Sequence, residues 1–287
     1  MTPWLLAARP KTLAASVTPV LVGSALAFQG TMHWSPFVFA LLGSVFIQIG
    51  TNYVNDALDF KKGADTHTRL GPLRVTQAGL LDADAVLRGA YICFFLAALC
   101  GIPLILRGGW PIAAIGIASI VAAYAYTGGP YPLAYHGLGE VFVMIFFGLV
   151  AVCGSFYLQR LALDPTAWIG GIAAGSLAVV ILAINNLRDI ENDRASNKRT
   201  LAARFGETFA RAEIVFFAML PFACVIAIAY LRQRLMMALP ILAITLAIAL
   251  LVRVARSRGV ELNRCLALAG ALEWIFGILY VIGAALG

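Results

Sequence analysis

Two short stretches hold the side chains best suited to chemistry. The first reads Asn52-Tyr-Val-Asn55-Asp56-Ala-Leu-Asp59-Phe-Lys61-Lys62-Gly-Ala-Asp65-Thr-His67-Thr-Arg69. The second reads Asn185-Asn186-Leu-Arg188-Asp189-Ile-Glu191-Asn192-Asp193-Arg194-Ala-Ser-Asn197-Lys198-Arg199. Each opens with Asn-x-x-x-Asp, places another carboxylate three or four residues on, and ends in basic residues. On a helix, positions i, i+3, i+4 and i+7 share one face. Asn52, Asp56 and Asp59 are therefore expected to point one way, and Asn185, Asp189 and Asp193 another. Two carboxylate faces meeting across a helical bundle suit a hard divalent cation. Mg²⁺ takes oxygen ligands and is commonly held by one or two carboxylates plus substrate phosphates. The neighbouring Lys61, Lys62, Arg69, Lys198 and Arg199 would complement phosphate charge, arginine through bidentate bonds. One such loop alone would read as a solvated connection with weak surface ion pairs. Two matching loops read as a Mg²⁺–diphosphate site and as an internal duplication.

The elements that must position these loops are apolar. The chain has 287 residues, 61% hydrophobic and 12% charged. Soluble domains carry roughly 25% charged residues, so a water-soluble enzyme, a nucleic-acid-binding domain and a disordered chain are excluded. Of 35 charged side chains, ten lie between Asp56 and Arg88 and eleven between Arg188 and Glu213. A spanning helix needs about 20 apolar residues, and windows of that size fall at 13–30, 36–55, 86–106, 110–127, 139–159, 166–187, 213–231, 235–252 and 266–286. The expected fold is all-α: a polytopic membrane protein with nine transmembrane helices around a central cavity. The whole chain, 1–287, reads as one domain. Alternating the loops puts 17 of 21 basic residues on one side and four on the other. The positive-inside bias then places the N-terminus and both polar loops in the cytoplasm of a cell (inner) membrane. The net charge of +7 follows from that topology and from contact with anionic membrane lipid, with no nucleic-acid partner expected. Arg74 and Gln77, just past the first cluster, are expected in a polar cap on the cytoplasmic side.

The two clusters resemble the aspartate-rich motifs of the UbiA superfamily of intramembrane aromatic prenyltransferases. The likeness runs over nearly the whole chain. It is greatest to the branch that prenylates 1,4-dihydroxy-2-naphthoate, through Arg9-Pro-Lys11-Thr-Leu13, Gly137-Leu-Gly-Glu140, Gly154-Ser-Phe-Tyr-Leu-Gln159 and Asn185-Asn-Leu-Arg-Asp189. The resemblance implies a polyprenyl diphosphate donor whose diphosphate is bridged by Mg²⁺ to Asp56, Asp59, Asp189 and Asp193, the catalytic carboxylates, with Asp65 a further metal ligand. Asn52, Asn55 and Asn185 would orient ligands or contact phosphate. Lys61, Arg69, Lys198 and Arg199 would neutralise the leaving pyrophosphate, with Lys11 and Arg74 also near the substrate. Breaking the C1–O bond leaves an allylic cation, which the electron-rich naphthoate ring attacks. Loss of CO₂ follows in this family, giving demethylmenaquinone. Two departures touch the acceptor end: Asp65 lies six residues after Asp59, and the Tyr126-Thr-Gly-Gly-Pro130 turn lacks a basic residue.

Some residues have two readings. Tyr124, Tyr126 and Tyr131 would line the acceptor site or form an interfacial aromatic belt. Glu140 would recognise the acceptor or serve as a charge at a helix N-terminus. Glu273, in the last span, has a buried pairing or snorkelling as its readings. His33, His67 and His136 lack ligand spacing, and the five cysteines read as packing residues. The competing functions are another acceptor (4-hydroxybenzoate, homogentisate or a tetrapyrrole) and a secondary transporter. A transporter would carry its ionisable groups near the bilayer midplane, whereas these stand at helix ends.

Overall fold

A computed structural model describes residues 2–63 and 70–287, so Asp65 and Arg69 lie outside the described residues. The described chain is helical throughout. We number the long apolar helices α1 (Ala14–Ala27), α2 (Trp34–Lys61), α3 (Ala83–Gly108), α4 (Trp110–Ala125), α5 (Gly139–Arg160), α6 (Pro165–Arg188), α7 (Leu201–Arg232), α8 (Leu235–Arg256) and α9 (Gly259–Leu286). Polar residues mark where they start. Asp82 accepts from the N–H groups of Asp84 and Ala85 at 3.0 and 3.1 Å. Asp164 accepts from Thr166 N at 2.8 Å, with Pro165 at the first helical position. Such caps satisfy N–H groups that the helix itself leaves unpaired.

Seven of these helices are long and apolar enough to cross a membrane: α2, α3 and α5 to α9. The expected spans 13–30 and 110–127 become α1 and α4, of 14 and 16 residues. At 1.5 Å per residue each is shorter than a perpendicular crossing of a roughly 30 Å hydrocarbon core. The physical reason is local. The first window loses its end, because α1 stops at Ala27 and Phe28 is extended, with ψ of 128°. The fourth is bounded by Gly109, whose positive φ of 72° ends α3.

Two apolar clusters hold the bundle. Val22, Leu26, Leu177, Ile184, Ile214 and Phe276 join α1, α6, α7 and α9. Tyr53, Val54, Val86, Phe94 and Ala123 join α2, α3 and α4. The helices α5 and α6 approach closely because glycines face each other. A Cβ at Gly148 would sit 2.5 Å from the Gly171 carbonyl oxygen and 2.8 Å from the Gly175 Cα. Around this crossing α5 widens into a π-helical stretch, Met144–Val150. Widened turns of this kind often sit at functional sites, and Phe146, Phe147 and Val150 of this one face a central cavity. The five cysteines are free, four of them buried.

Candidate functional site

The cavity has a volume of about 910 Å³. Its deep walls are apolar, with Leu104, Ile112, Ile115, Phe142, Phe146 and Leu158 among them. Its other end is polar and is built where α2 and α6 finish. Asn52, Asn55 and Asp59 reach it from the last turns of α2; Asn185, Asn186 and Arg188 reach it from the last turn of α6. Arg74, Lys198, Lys11, Tyr126 and Glu140 also border it.

The first motif divides. Asn52 is buried and donates to the Ala8 carbonyl at 2.9 Å and to the Thr12 hydroxyl at 3.1 Å. Asn55 accepts from the Thr127 hydroxyl. Asp59 accepts from the Tyr135 hydroxyl at 3.0 Å and from Arg74 Nη2 at 3.4 Å. Asp56, 1% exposed, turns elsewhere. It accepts from Val75 N at 3.3 Å, Thr76 N at 3.1 Å and the Thr76 hydroxyl at 2.5 Å. The common face expected for Asn52, Asp56 and Asp59 is therefore split. Four residues advance a helix by about 40° past a full turn and seven stop about 20° short, so Asp56 and Asp59 diverge. That divergence points Asp56 at the segment that carries Arg74.

The second motif centres on a residue outside the expected ligand set. Arg188 has a fully buried side chain and grips both oxygens of Asp189, Nε to Oδ1 at 2.8 Å and Nη2 to Oδ2 at 2.5 Å. It also donates to Asn185 at 2.6 Å and to Asn263 of α9 at 2.8 Å. Asp189 itself caps the end of α6, and a short helix, Ile190–Ala195, carries Asp193 onward. Asp193 is buried, accepts from the Thr200 hydroxyl at 3.2 Å and has Lys198 Nζ at 3.9 Å. Burial pushes its carboxyl up to about 6, and the charges of Asp189 and Asp59 act in the same direction against Lys198. Asp59, Asp189 and Asp193, from opposite motifs, thus share one electrostatic environment.

Tyr135 links the two motifs. Besides bonding Asp59, its ring has Lys62 Nζ at 4.9 Å and Lys198 Nζ at 5.7 Å from its centroid. Burial holds the Lys62 ammonium below its ordinary value, with Asp59 opposing. Burial, then Glu140, Asp59 and Asp193, raise the Tyr126 phenol. Tyr126 therefore stands among three carboxylates. Glu140 is 5% exposed; its Oε1 accepts from Asn186 at 2.8 Å while its Oε2 has no partner among the described residues.

Other expected residues stand apart. Lys61 pairs with Asp84 on the exposed surface. Arg199 is exposed, its backbone N–H bonded to the Tyr135 carbonyl at 3.0 Å. Tyr124 stacks on Tyr91, with ring centroids 6.4 Å apart. Glu273 is completely buried with both oxygens unpartnered among the described residues, so neither pairing nor snorkelling describes it. Arg188 and Tyr135 had weak sequence signals: Arg188 sits inside Asn185-Asn-Leu-Arg-Asp189, and Tyr135 ends a Tyr-Pro-Leu-Ala-Tyr turn.

No three His, Cys, Asp or Glu side chains among the described residues form a ready metal cage. The donor chemistry nonetheless fits a hard cation. Asp59, Asp189 and Asp193 are buried carboxylates, each held by a cationic side chain, with asparagine amides beside them. An all-oxygen set of this kind suits Mg²⁺ completed by phosphate oxygens. A buried carboxyl such as Asp193, whose protonation is raised by burial and by the charges of its neighbours, is relieved by a cation.

Fold and site define an integral membrane protein with an apolar chamber and an ionic mouth. The model of the UbiA prenyltransferase family matches residues 16–284, and the chain belongs to that family. It is 37% identical over 256 residues to a 1,4-dihydroxy-2-naphthoate octaprenyltransferase of Haemophilus influenzae, covering 84% of this chain and 83% of the relative. It is 41% identical over 217 residues to the Escherichia coli protein of the same name, covering 72% and 70%. A UbiA homologue from Aeropyrum pernix has the same fold, with a TM-score of 0.75 at 14% identity over 96% of this chain and 98% of that one. So does a homologue from Archaeoglobus fulgidus, solved with DMAPP and Mg²⁺: TM-score 0.68, 14% identity, 97% and 99% coverage.

Proposed function

We propose that this protein is a Mg²⁺-dependent prenyltransferase that joins a polyprenyl chain to 1,4-dihydroxy-2-naphthoate, releasing pyrophosphate and CO₂ and giving demethylmenaquinol, which oxidation outside the site converts to demethylmenaquinone. The observation that carries this is one chamber whose apolar depth ends at two acid-and-base motifs. Identity of 37–41% to naphthoate octaprenyltransferases supports the acceptor.

The diphosphate would lie at the mouth, near Asp59, Asp189 and Asp193. When bound, Mg²⁺ would neutralise charge developing on the bridging oxygen. Arg74, Arg188 and Lys198 face the same region and would stabilise the departing pyrophosphate. Asn52, Asn55 and Asn185 hold the helix ends that present these groups. Asp56 fixes the segment bearing Arg74 through Val75 and Thr76; it enters the metal set only by giving up those bonds. Lys11 borders the chamber and adds a further cation there; Lys61, paired with Asp84, and the exposed Arg199 stay outside this set, and Asp65 and Arg69 lie outside the described residues.

As the C1–O bond breaks, the allylic fragment faces Phe142 and Phe146, whose rings stack at 5.9 Å. Aromatic faces attract a cation by about 0.5–2 kcal/mol, and apolar walls exclude the water that would trap it. The naphthoate would sit between Tyr126 and Glu140. The unpartnered Glu140 Oε2 is an acceptor suited to one of its hydroxyls, which supports acceptor recognition as the role of that residue. We further propose nine crossings, with α1 and α4 completing the bundle, and the ionic mouth and its polar cap on the cytoplasmic face of the inner membrane.

Incubating the purified protein with dihydroxynaphthoate, a polyprenyl diphosphate and Mg²⁺ should yield pyrophosphate and demethylmenaquinol, recovered as demethylmenaquinone after air oxidation. No product across several prenyl lengths would overturn the reading. Product with 4-hydroxybenzoate instead would replace the acceptor and keep the class.

A further inference from the structure

A second recess of about 510 Å³ opens on the outer wall between α8 and α9. It is bordered by Arg253 and Arg256 near the end of α8 and by Arg264 near the start of α9. All three are exposed, and no hydrogen bond or ion pair engages their guanidiniums among the described residues. Nearby arginines behave differently: Arg258 lies 3.5 Å from Glu207, and Arg211 is held by Glu207 at 2.7 Å. Glu261 is the one carboxylate on the rim, which leaves a net positive recess.

Apart from Ser257 beside the arginines, the remaining lining is apolar and lies farther along the helices. Ala249 and Val252 precede the arginines on α8, and Leu268 follows Arg264 by one turn on α9. At 1.5 Å per residue, Ala249 lies about 10 Å from Arg256 and Leu268 about 6 Å from Arg264. The cationic end is at the helix termini and the apolar end runs into the span. Asn263, which accepts from Arg188, ties this end of α9 to the carboxylate end of the bundle. Yet Asn263, Leu266 and Ala267 border the central chamber, whereas Glu261, Arg264 and Leu268 border the recess. The two openings use different faces of α9.

We infer that this recess binds an anionic phospholipid, its phosphate against Arg253, Arg256 and Arg264 and one acyl chain along Ala249, Val252 and Leu268. Basic pockets between spanning helices hold anionic headgroups, and guanidiniums meet phosphate oxygens in a bidentate fork. A free phosphate would satisfy the arginines and leave the apolar floor unused. The order of charge and apolar surface along both helices therefore selects a lipid.

The test titrates the full-length protein in neutral detergent with phosphatidylglycerol, phosphatidylcholine or inorganic phosphate. Bound lipid is counted by native mass spectrometry, with thermal unfolding followed in parallel. Phosphatidylglycerol should bind, phosphatidylcholine should bind far more weakly, and phosphate alone should not displace the lipid. Replacing all three residues (Arg253→Gln, Arg256→Gln, Arg264→Gln) should weaken phosphatidylglycerol on the order of 100-fold. Arg234→Gln, at the opposite end, should leave it unchanged. The single variants Arg253→Gln and Arg264→Gln should each weaken it about fivefold, so the outcome does not depend on the triple variant folding. Retained affinity in these variants, equal binding of phosphatidylcholine, or displacement by phosphate would overturn the assignment.

Discussion

Glu140→Gln is the sharpest perturbation of the acceptor end. Glu140 sits in the first turn of α5, 5% exposed and bordering the cavity, with Oε1 held by Asn186 at 2.8 Å and Oε2 buried without a partner among the described residues. Asn186 donates through Nδ2, so the glutamine must keep its own oxygen toward Asn186. Its amide NH₂ then replaces the unpartnered Oε2. An acceptor becomes a donor with almost no change in volume, and a naphthol O–H meets an N–H instead of a carboxylate. A hydrogen bond to a charged group is worth about 1.5–3 kcal/mol, and each 1.36 kcal/mol is tenfold in rate. The expected loss in kcat/KM for the dihydroxynaphthoate is roughly 10- to 150-fold. KM for the prenyl diphosphate should stay within about twofold of the parent, because no diphosphate contact changes. The assay is transfer of a radiolabelled prenyl group by detergent-purified enzyme, varying each substrate in turn. A monomethyl ether of the acceptor provides the control: the parent should reject it, the variant should discriminate less, and Glu140→Asp should restore part of the preference. A variant within threefold of the parent on the naphthoate would refute acceptor contact. Equal losses on both substrates would reduce Glu140 to a packing role.

Three other outcomes follow from the same structure. The Asp193 carboxyl, raised to about 6, is protonated below that pH, and a proton competes with a metal for the same oxygens. Mg²⁺ affinity measured by calorimetry should fall as pH drops from 7 through 6, and Asp193→Asn should flatten that dependence. Glu273→Met removes a fully buried carboxyl with no partner among the described residues, a burden of about 1–3 kcal/mol. Thermal unfolding should shift upward by several degrees with prenyl transfer intact; a downward shift would show that the acid is bonded. Gly148→Val places a side chain 2.5 Å from the Gly171 carbonyl oxygen. Overpacking of this kind costs about 1–3 kcal/mol. It should lower the unfolding temperature and, by parting α5 from α6, raise KM for the acceptor through the Glu140–Asn186 contact.

How far the residues alone revealed this protein depends on the kind of pattern involved. Apolar windows located every long helix, because burial in lipid demands them whatever the neighbours. They could not tell a 14-residue helix such as α1 from a full crossing, since its stop at Ala27, before an extended Phe28, is a matter of backbone geometry. The Asn-x-x-x-Asp spacing placed Asn52, Asp59 and Asn185 at one chamber. It failed to foresee that Asp56 faces Thr76, because about 60° of divergence along a helix is enough to meet a different neighbour. Arg188 and Tyr135 were hidden for another reason. The bond from Arg188 to Asn263, and the contacts of Tyr135 with Asp59 and Lys198, form only once separate helices close. Glu273 shows the limit most plainly, since nothing in its local sequence says that its side chain has no partner.

The central claim is that carboxylates from both motifs hold the metal that binds the diphosphate. Its most direct test is a structure with Mn²⁺ and a non-hydrolysable prenyl thiolodiphosphate, the metal located by anomalous scattering. The account predicts metal at the polar end of the chamber, within about 2.0–2.6 Å of oxygens from Asp59 on one side and Asp189 or Asp193 on the other. Metal held by one motif alone, or a diphosphate seated away from Arg74, Arg188 and Lys198, would contradict it.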